Sequence, residues 1–382
     1  MILYSLFGRS VMSIDVFGRI FDSVADPRQL SKVSYKLYDM LFLTICGVVT
    51  GCEGWQDIED FGHSRLGWLQ SLGLFQQGIP AHDTIARLIS RIEPTQLRKS
   101  FIKWMRQVNT LTNGEVVAID GKTLRSSYNR NDRKSAIHMV SAFATANGVV
   151  MGQMKTDMKS NEITAIPELL KLLEIKGCLI TIDAMGCQKN IARTILSKEA
   201  DYLLAVKGNQ ETLYQAVEDA FRTIKPKAQI HIERGHGRIE AREYYVLNAD
   251  KLSESFSEWT GLKTIGMAIN YQHDGKKESI AYRYYISSAP LSSETFGRAV
   301  RSHWDIESKL HWVLDTAMKE DACQIYREHG AENLARLRHI GKNMIKADKS
   351  RKASVRRKQR MCTMDVRYLE TVFLAGCNAL ID

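Results

Sequence analysis

The sequence predicts a mixed α/β fold: a mixed sheet flanked by helices, with a mainly helical N-terminal region and a β-rich insertion. Three observations carry that expectation. Residues 15–108 place apolar residues at helical spacing. From residue 115 the order becomes strand, hairpin, helix, strand, helix, strand, which builds a sheet with helices on its faces. Residues 228–286 then break that rhythm with long β-branched and aromatic runs.

In chain order, Asp26-Pro27-Arg28 is expected to open a helix. The apolar run Met40 to Cys52 spans 13 residues. It is too short for a bilayer, which needs roughly 18 to 20, so it is expected to be a core helix. Asp83 is the expected N-cap of a helix carrying Ile85, Leu88 and Ile89. Residues 109–114 (NTLTNG) mark a boundary, giving expected domains at 1–110 and 111–382. Glu115 to Asp120 forms a strand ending in an acid. Asn147-Gly148 is a hairpin signal between two apolar runs. Glu162 to Ile175, Lys189 to Lys198 and Glu211 to Arg222 are expected helices. Cys178 to Asp183 and Tyr202 to Val206 are expected strands. Residues 228–286 are expected to form a separate insertion. Helical spacing resumes at Glu294.

The chain has 382 residues, which at about 150 per domain suggests two or three domains. Hydrophobic residues make up 44% and charged residues 25%, which excludes collagen-like, disordered and membrane-spanning classes for the whole chain. Seven Cys without a CxxC pair exclude a disulfide scaffold and a zinc ribbon, and a reducing bacterial cytoplasm is the expected compartment. The N-terminus lacks a signal-peptide layout, and Met12 offers an alternative start. Net charge is +10, which fits a polyanionic partner and a basic metabolic enzyme alike. The charge is densest at residues 342–360, with nine Lys or Arg against Asp348 alone. Such a block repels itself unless it meets phosphates, so it is an expected nucleic-acid surface.

Asp120 and Asp183 each end an apolar strand and precede a small residue, Gly121 or Ala184. An acid there sits at the rim of a sheet, where open α/β folds keep their sites. A turn aspartate is the alternative for each alone. In the segment from His303 to Asp315, residues 303, 307 and 311 share one helical face. Glu307 lies there among Trp304, Leu310 and Trp312, where a carboxylate is costly unless paired or metal-bound. Pairing with Arg301, His303 or His311 is the alternative. The two tryptophans are expected in the core rather than as base-stacking platforms. Together Asp120, Asp183 and Glu307 would offer hard oxygen ligands suited to Mg²⁺ or Mn²⁺, and two such ions can drive phosphodiester displacement.

The sequence resembles the H-repeat-associated insertion-sequence transposases, a branch of the DDE transposases with a ribonuclease H-like catalytic core. The resemblance runs from about Asp26 to the C-terminus. It rests on residues 26–29 (DPRQ), 54–61 (GWQDIEDF), 78–87 (GIPAHDTIAR), 118–125 (AIDGKTLR), 159–167 (KSNEITAIP), 182–188 (IDAMGCQ), 205–210 (AVKGNQ), 236–240 (HGRIE) and 301–307 (RSHWDIE). It implies that Asp120, Asp183 and Glu307 are the catalytic, metal-binding triad, with Mg²⁺ or Mn²⁺, two ions, as cofactor. The long gap after Asp183 fits a β-rich insertion of the kind several related transposases carry. Related enzymes also keep a Tyr, Arg, Glu, Lys signature around the last acid. Here Val300, His303 and Leu314 stand at the Tyr, Arg and Lys positions, so those basic roles do not transfer, and His303 and His311 are the candidate replacements.

The expected activity is that of a DNA transposase: hydrolysis at element ends, then attack of the freed 3′-hydroxyl on target DNA, by a homodimer on DNA without a membrane role. The alternatives are a metal-dependent nuclease that does not join, and a catalytically idle DNA-binding relative. Expected DNA contacts are Lys122 and Lys207, each beside a glycine after a strand; His236 and Arg238, with Arg242 near them; and Arg356, Arg357 and Lys358 in the basic block. Asp315, Glu320 and Asp321 are the other acids considered for third place in the triad.

Overall fold

The computed structural model describes residues 18–377 except 30, 32, 130, 133–134, 157–161, 225, 236–237 and 274–277. Met12 and His236 therefore lie outside the described residues. Asp26 opens a turn instead of a helix, because its carboxylate accepts from the Arg28 N–H at 3.0 Å and from the Arg28 guanidinium at 2.9 and 2.6 Å. The first long helix is α1 (Leu37–Thr50), buried from Asp39 onward and ended by Gly51 at φ 95°. Helices α2 (Trp55–Ser64), α3 (Leu66–Ser71), α4 (His82–Arg91) and α5 (Pro94–Val108) follow. Ala81, not Asp83, is the N-cap of α4. Glu59 of α2 takes the His82 N–H at 2.9 Å instead. Asp83 sits in the first turn, where a negative charge still favours the helix dipole.

The sheet begins with β1 (Val116–Thr123), β2 (His138–Ala144) and β3 (Val149–Lys155). Gly148, at φ 69°, turns the expected hairpin. After α6 (Glu162–Leu172), strand β4 (Leu179–Ile182) pairs with β1 in parallel. After α7 (Lys189–Ser197), strand β5 (Asp201–Val206) pairs with β4 in parallel. Then come α8 (Glu211–Thr223), β6 (Gln229–Gly235), β7 (Arg238–Asn248), α9 (Asp250–Ser255), β8 (Thr264–His273) and β9 (Glu278–Ser287). The strand order is β3-β2-β1-β4-β5-β9-β8-β7-β6. The expected separate insertion is thus an extension of the core sheet. Its last strand closes on β5 through pairs such as Leu204↔Ile286, which satisfies an edge that would otherwise stay open.

From Ser293 on, the described chain is helical: α10 (Ser293–His303), a π turn at Glu307–His311, α11 (Trp312–Ala317), α12 (Gly330–Ala347), α13 (Val355–Met364) and α14 (Val366–Cys377). Helix α12 is buried from Gly330 to Ile345. Its Leu337 and Ile340 share one apolar core with Leu41 and Ile45 of α1, Leu88 of α4 and Leu369 of α14. The N-terminal and C-terminal helices therefore form one layer on one face of the sheet. The other face packs α6 and α7 through residues such as Ile166, Leu169 and Ile191. No single described helix is long and apolar enough to cross a membrane.

Candidate active site

Alternation along β1 decides which way each side chain points. Ala118 belongs to the core shared with the helical layer, whereas Val117 and Ile119 belong to the core under α6 and α7. Asp120 and Lys122 therefore face the helical layer, and Gly121 faces α6. In the parallel pairing Ile119 is level with Ile182, so Asp120 and Asp183 come next on adjacent strands, whose axes lie roughly 4.8 Å apart. Strand β4 stops there, while β1 continues to Thr123 beside β2. The expected strand end at Asp120 is thus three residues early. Asp183 turns the chain, because its Oδ1 accepts the N–H groups of Met185 at 3.0 Å and Gly186 at 3.2 Å.

Glu307 approaches from the helical layer. The expected continuous helix from 303 to 311 is broken at Trp304 and wound into a π turn from Glu307 to His311; such turns are frequent at functional sites. Ile306, Leu310 and Leu314 are buried in the helical core and hold this segment down. Each buried apolar side chain of this size contributes about 1.5–3 kcal/mol. The tryptophans do not join them: Trp304 is 40% and Trp312 63% exposed, contrary to the expected core placement. Arg283 lies over the Trp304 ring, 4.6 Å from its centroid. His303 Nδ1 meets Thr181 Oγ1 at 3.0 Å, and His311 Nδ1 lies 3.6 Å from Asp120 Oδ2. Both histidines therefore face the acids despite the break.

The three acids are brought to one region. Burial pushes the Asp120 carboxyl up to about 7, against the opposing hydrogen bond from Gly121, and the negative charges of Glu162, Asp183 and Glu307 push the same way. Burial also pushes His311 down to about 4, with Lys122 acting in the same direction, so its imidazole is neutral at pH 7. The Glu307 carbonyl accepts the Trp312 N–H, but its carboxylate has no hydrogen bond or ion pair with any described residue. Arg301, a partner considered for it, goes to Glu233 at 2.7 Å instead.

Glu162 is the acid the sequence did not single out, although it stands in the 159–167 motif. Its Oε1 receives His138 Nε2 at 2.7 Å, and the other nitrogen of His138 meets Thr123 Oγ1 at 2.9 Å. A Cβ on Gly121 would lie 2.1 Å from Glu162 Oε1 and 2.3 Å from His138 Nε2. A side chain at this position would have to push the ends of the Glu162 and His138 side chains aside. Four carboxylates are hard donors, and their mutual repulsion at Asp120 is of the kind a divalent cation relieves. Among the described residues no group of three or more His, Cys, Asp or Glu side chains is already set to hold a metal ion.

The expected DNA contacts divide sharply. Lys122 is gripped by Asp315, Glu320 and Asp321 at 2.7, 3.0 and 2.8 Å and is 11% exposed. It is not free for a phosphate, and those three acids are not free to replace Glu307. Lys358 is buried against Asp348 at 2.9 Å, so it too is withdrawn from DNA. Lys342, in the same block, is buried, donates to the Gly148 carbonyl at 2.6 Å and is pushed down to about 7 by that burial. Arg356 and Arg357 remain exposed. Lys207 is exposed on a loop whose Asn209 amide donates to the Ala184 carbonyl at 2.7 Å, beside the Asp183 turn. Only the backbone of Arg238 is described, while Arg242 pairs with Glu233 at 3.0 Å and with Glu240. A basic groove of about 590 Å³ runs from Ser308 and Lys309 to Lys346, Lys349, Arg351 and Lys352. It starts one residue from Glu307.

Comparison with known proteins gives the following. The family model described as Transposase DDE domain matches residues 112–343, and the one described as DDE_Tnp_1-associated matches residues 19–105. The chain is 47% identical over 378 residues to the protein named "Putative transposase YncI" of Escherichia coli O157:H7, covering 97% of both chains. It is 49% identical over 363 residues to the "H repeat-associated putative transposase YhhI" of Escherichia coli strain K12, covering 92% of this chain and 96% of that one. Among solved structures, the cryo-EM piggyBac transposase synaptic complex with hairpin DNA aligns at 12% identity and TM-score 0.45, over 98% of this chain and 82% of that one. The β3-β2-β1-β4-β5 part of the sheet is the ribonuclease H-like core of a DDE domain.

Proposed function

The chain belongs to the DDE transposase family, and on that premise we propose that it hydrolyses phosphodiesters at the ends of an insertion sequence and joins the freed 3′-hydroxyl to target DNA. The observation that carries this reading is the convergence of Asp120, Asp183 and Glu307 at the rim of the sheet, one residue from the start of a basic groove. Asp120, Asp183 and Glu307 would hold Mg²⁺ or Mn²⁺, two ions in all. Bound there, the metal would polarise the scissile phosphate and activate the attacking water or 3′-hydroxyl. The chain's own part is to hold and orient. Neighbouring strands fix Asp120 and Asp183, and the Asx turn leaves Asp183 Oδ2 free of described hydrogen bonds. The π turn presents the Glu307 carboxylate, which has no hydrogen bond or ion pair among the described residues. Neutral His311 beside Asp120 is able to accept a proton there.

DNA is the proposed partner. Lys309, Lys346, Lys349, Arg351 and Lys352 in the groove, with exposed Arg356 and Arg357 on α13, would meet its phosphates. Lys207 beside the Asp183 turn would meet the strand being cut. A homodimer would hold two ends together, and the cytoplasm, at the nucleoid, is the proposed place of action.

The test uses the purified full chain and a supercoiled plasmid carrying the gene with its own flanking DNA, in Mg²⁺ or Mn²⁺. Cuts leaving 3′-hydroxyls at fixed flanking positions, and joining of a pre-cut 3′-hydroxyl end into a second plasmid, are expected. Cutting without joining would leave a nuclease. Binding without either would leave an idle DNA-binding relative.

A further inference from the structure

Lys122 was expected on a phosphate and is instead tied into the fold across almost two hundred residues. It lies two positions after Asp120 on the same strand and faces the same side. Its ammonium lies 2.7 Å from Asp315, 3.0 Å from Glu320 and 2.8 Å from Asp321. Asp315 belongs to α11, which continues directly from the π turn of Glu307. Glu320 and Asp321 follow at once, where the chain doubles back. The Glu320 N–H reaches the Leu314 carbonyl at 3.0 Å, and Lys319 adopts a left-handed φ of 51°. That conformation is unfavourable for a residue with a Cβ and persists only where surrounding contacts enforce it. Here the Leu314 carbonyl accepts from Met318 and Glu320 and closes the helix end, which presents Glu320 and Asp321 to the ammonium and Asp321 to Arg125, whose Nε lies 3.3 Å away. Glu320 is 1% exposed, so its carboxylate has little solvent to turn to.

We infer that Lys122 is a positioning residue: its ammonium pins the Glu307-bearing helix, through Asp315, Glu320 and Asp321, to the strand that carries Asp120, and so sets the separation of the two acids. Among the described residues no other ion pair joins β1 to α11, while His311 of the π turn lies 3.6 Å from Asp120 itself. This inference rests on the proposed reading of Asp120 and Glu307 as catalytic acids, but the clamp has a signature of its own.

The experiment compares the full-length wild type with Lys122→Met and with Lys122→Met/Glu320→Gln. The double variant removes one carboxylate that would otherwise be stranded, and keeps the test open if the single variant folds poorly. Three readouts are taken: hydrogen exchange of residues 305–321, Mn²⁺-dependent nicking of a supercoiled plasmid, and affinity for a random-sequence duplex at several salt concentrations. The clamp predicts exchange in 305–321 faster by about tenfold, with the α1 and β4 amides unchanged. It predicts nicking lower by about 100-fold, as expected for an ångström-scale misplacement, and a higher Mn²⁺ requirement. Duplex affinity and its salt slope should stay as in the wild type. Unchanged exchange in 305–321 overturns the clamp. So does a folded variant that nicks like the wild type at the same Mn²⁺ concentration. Weaker duplex binding with a salt slope lower by about one returns Lys122 to a phosphate contact and also overturns it. If the wild type itself does not nick, the catalytic reading fails, and the exchange data still decide the clamp.

Discussion

Asp120 is the acid of the proposed site where burial and neighbouring charge meet. Its carboxyl, ordinarily ionised near 3.8, is pushed up to about 7 by burial and then by three neighbouring acids. The native state therefore holds this proton more tightly than the unfolded chain. That contribution to stability is complete below pH 3.8 and is lost as pH rises through 7. Asp120→Asn, which mimics the protonated form, should raise the melting temperature of the metal-free protein at pH 8, by roughly 1–3 °C, and leave it almost unchanged at pH 4. Calorimetry at both pH values checks this; equal melting at pH 8 would mean that Asp120 is not strained by its neighbours. Gly121→Ala should cost about 1–3 kcal/mol, because its Cβ would enter the space held by Glu162 and His138. Chemical denaturation measures that, and Glu162→Ala in the same chain should relieve much of it. Asp120, Asp183 and Glu307 were legible from local pattern and family resemblance. Glu162 and the partners of Lys122 were not, because their meaning comes from contacts made across the fold.

Two elements separate what local pattern conveys from what it cannot. Strands and the hairpin at Gly148 were readable because β-branched runs and Asn-Gly act locally. The π turn was not, because apolar spacing around Leu310 looks the same in an α-helix. Deleting Ser308 should let the turn, which holds one residue more than an α turn, relax to α-helical winding with its flanks nearly in place and Glu307 re-aimed. With Ile306, Leu310 and Leu314 anchored, nicking should fall sharply while the fold survives; circular dichroism and plasmid assays together check this. The basic block also resolves at this scale. Composition counted nine cations, but seven remain exposed after Lys342 and Lys358 are buried. Arg356→Ala with Arg357→Ala should lower the salt slope of duplex binding by about 1.8 and barely alter stability. Lys358→Ala should instead destabilise the fold by about 3–5 kcal/mol, because it leaves Asp348 buried without its cation. Titrations of duplex at several salt concentrations and urea melts separate the two outcomes.

Across the whole molecule, the sheet joins parts that the sequence presents as separate. Residues 228–286 read as an insertion because they interrupt a helix–strand rhythm, yet β9 closes on β5 and makes nine strands continuous. The helices before β1 and after β9 likewise form one layer, whose buried face surrounds α12. That layer carries Glu307 at one side and the basic groove beside it, so the acids and the cations are held by one core. Composition alone could point to a polyanion but not to a surface; the folded chain gathers Lys309, Lys346, Lys349, Arg351 and Lys352 along one groove that begins at Ser308, the residue after Glu307. The most direct measurement of the central claim is Mn²⁺ binding to the purified full chain, by electron paramagnetic resonance at pH 7.5, in wild type, Asp120→Asn, Asp183→Asn and Glu307→Gln. The wild type should bind Mn²⁺, and each substitution should weaken binding about 100-fold or more, beyond the 10–100-fold of residues that only orient a ligand. Equal Mn²⁺ binding by the wild type and all three variants would contradict the convergence of these acids on a shared cation site.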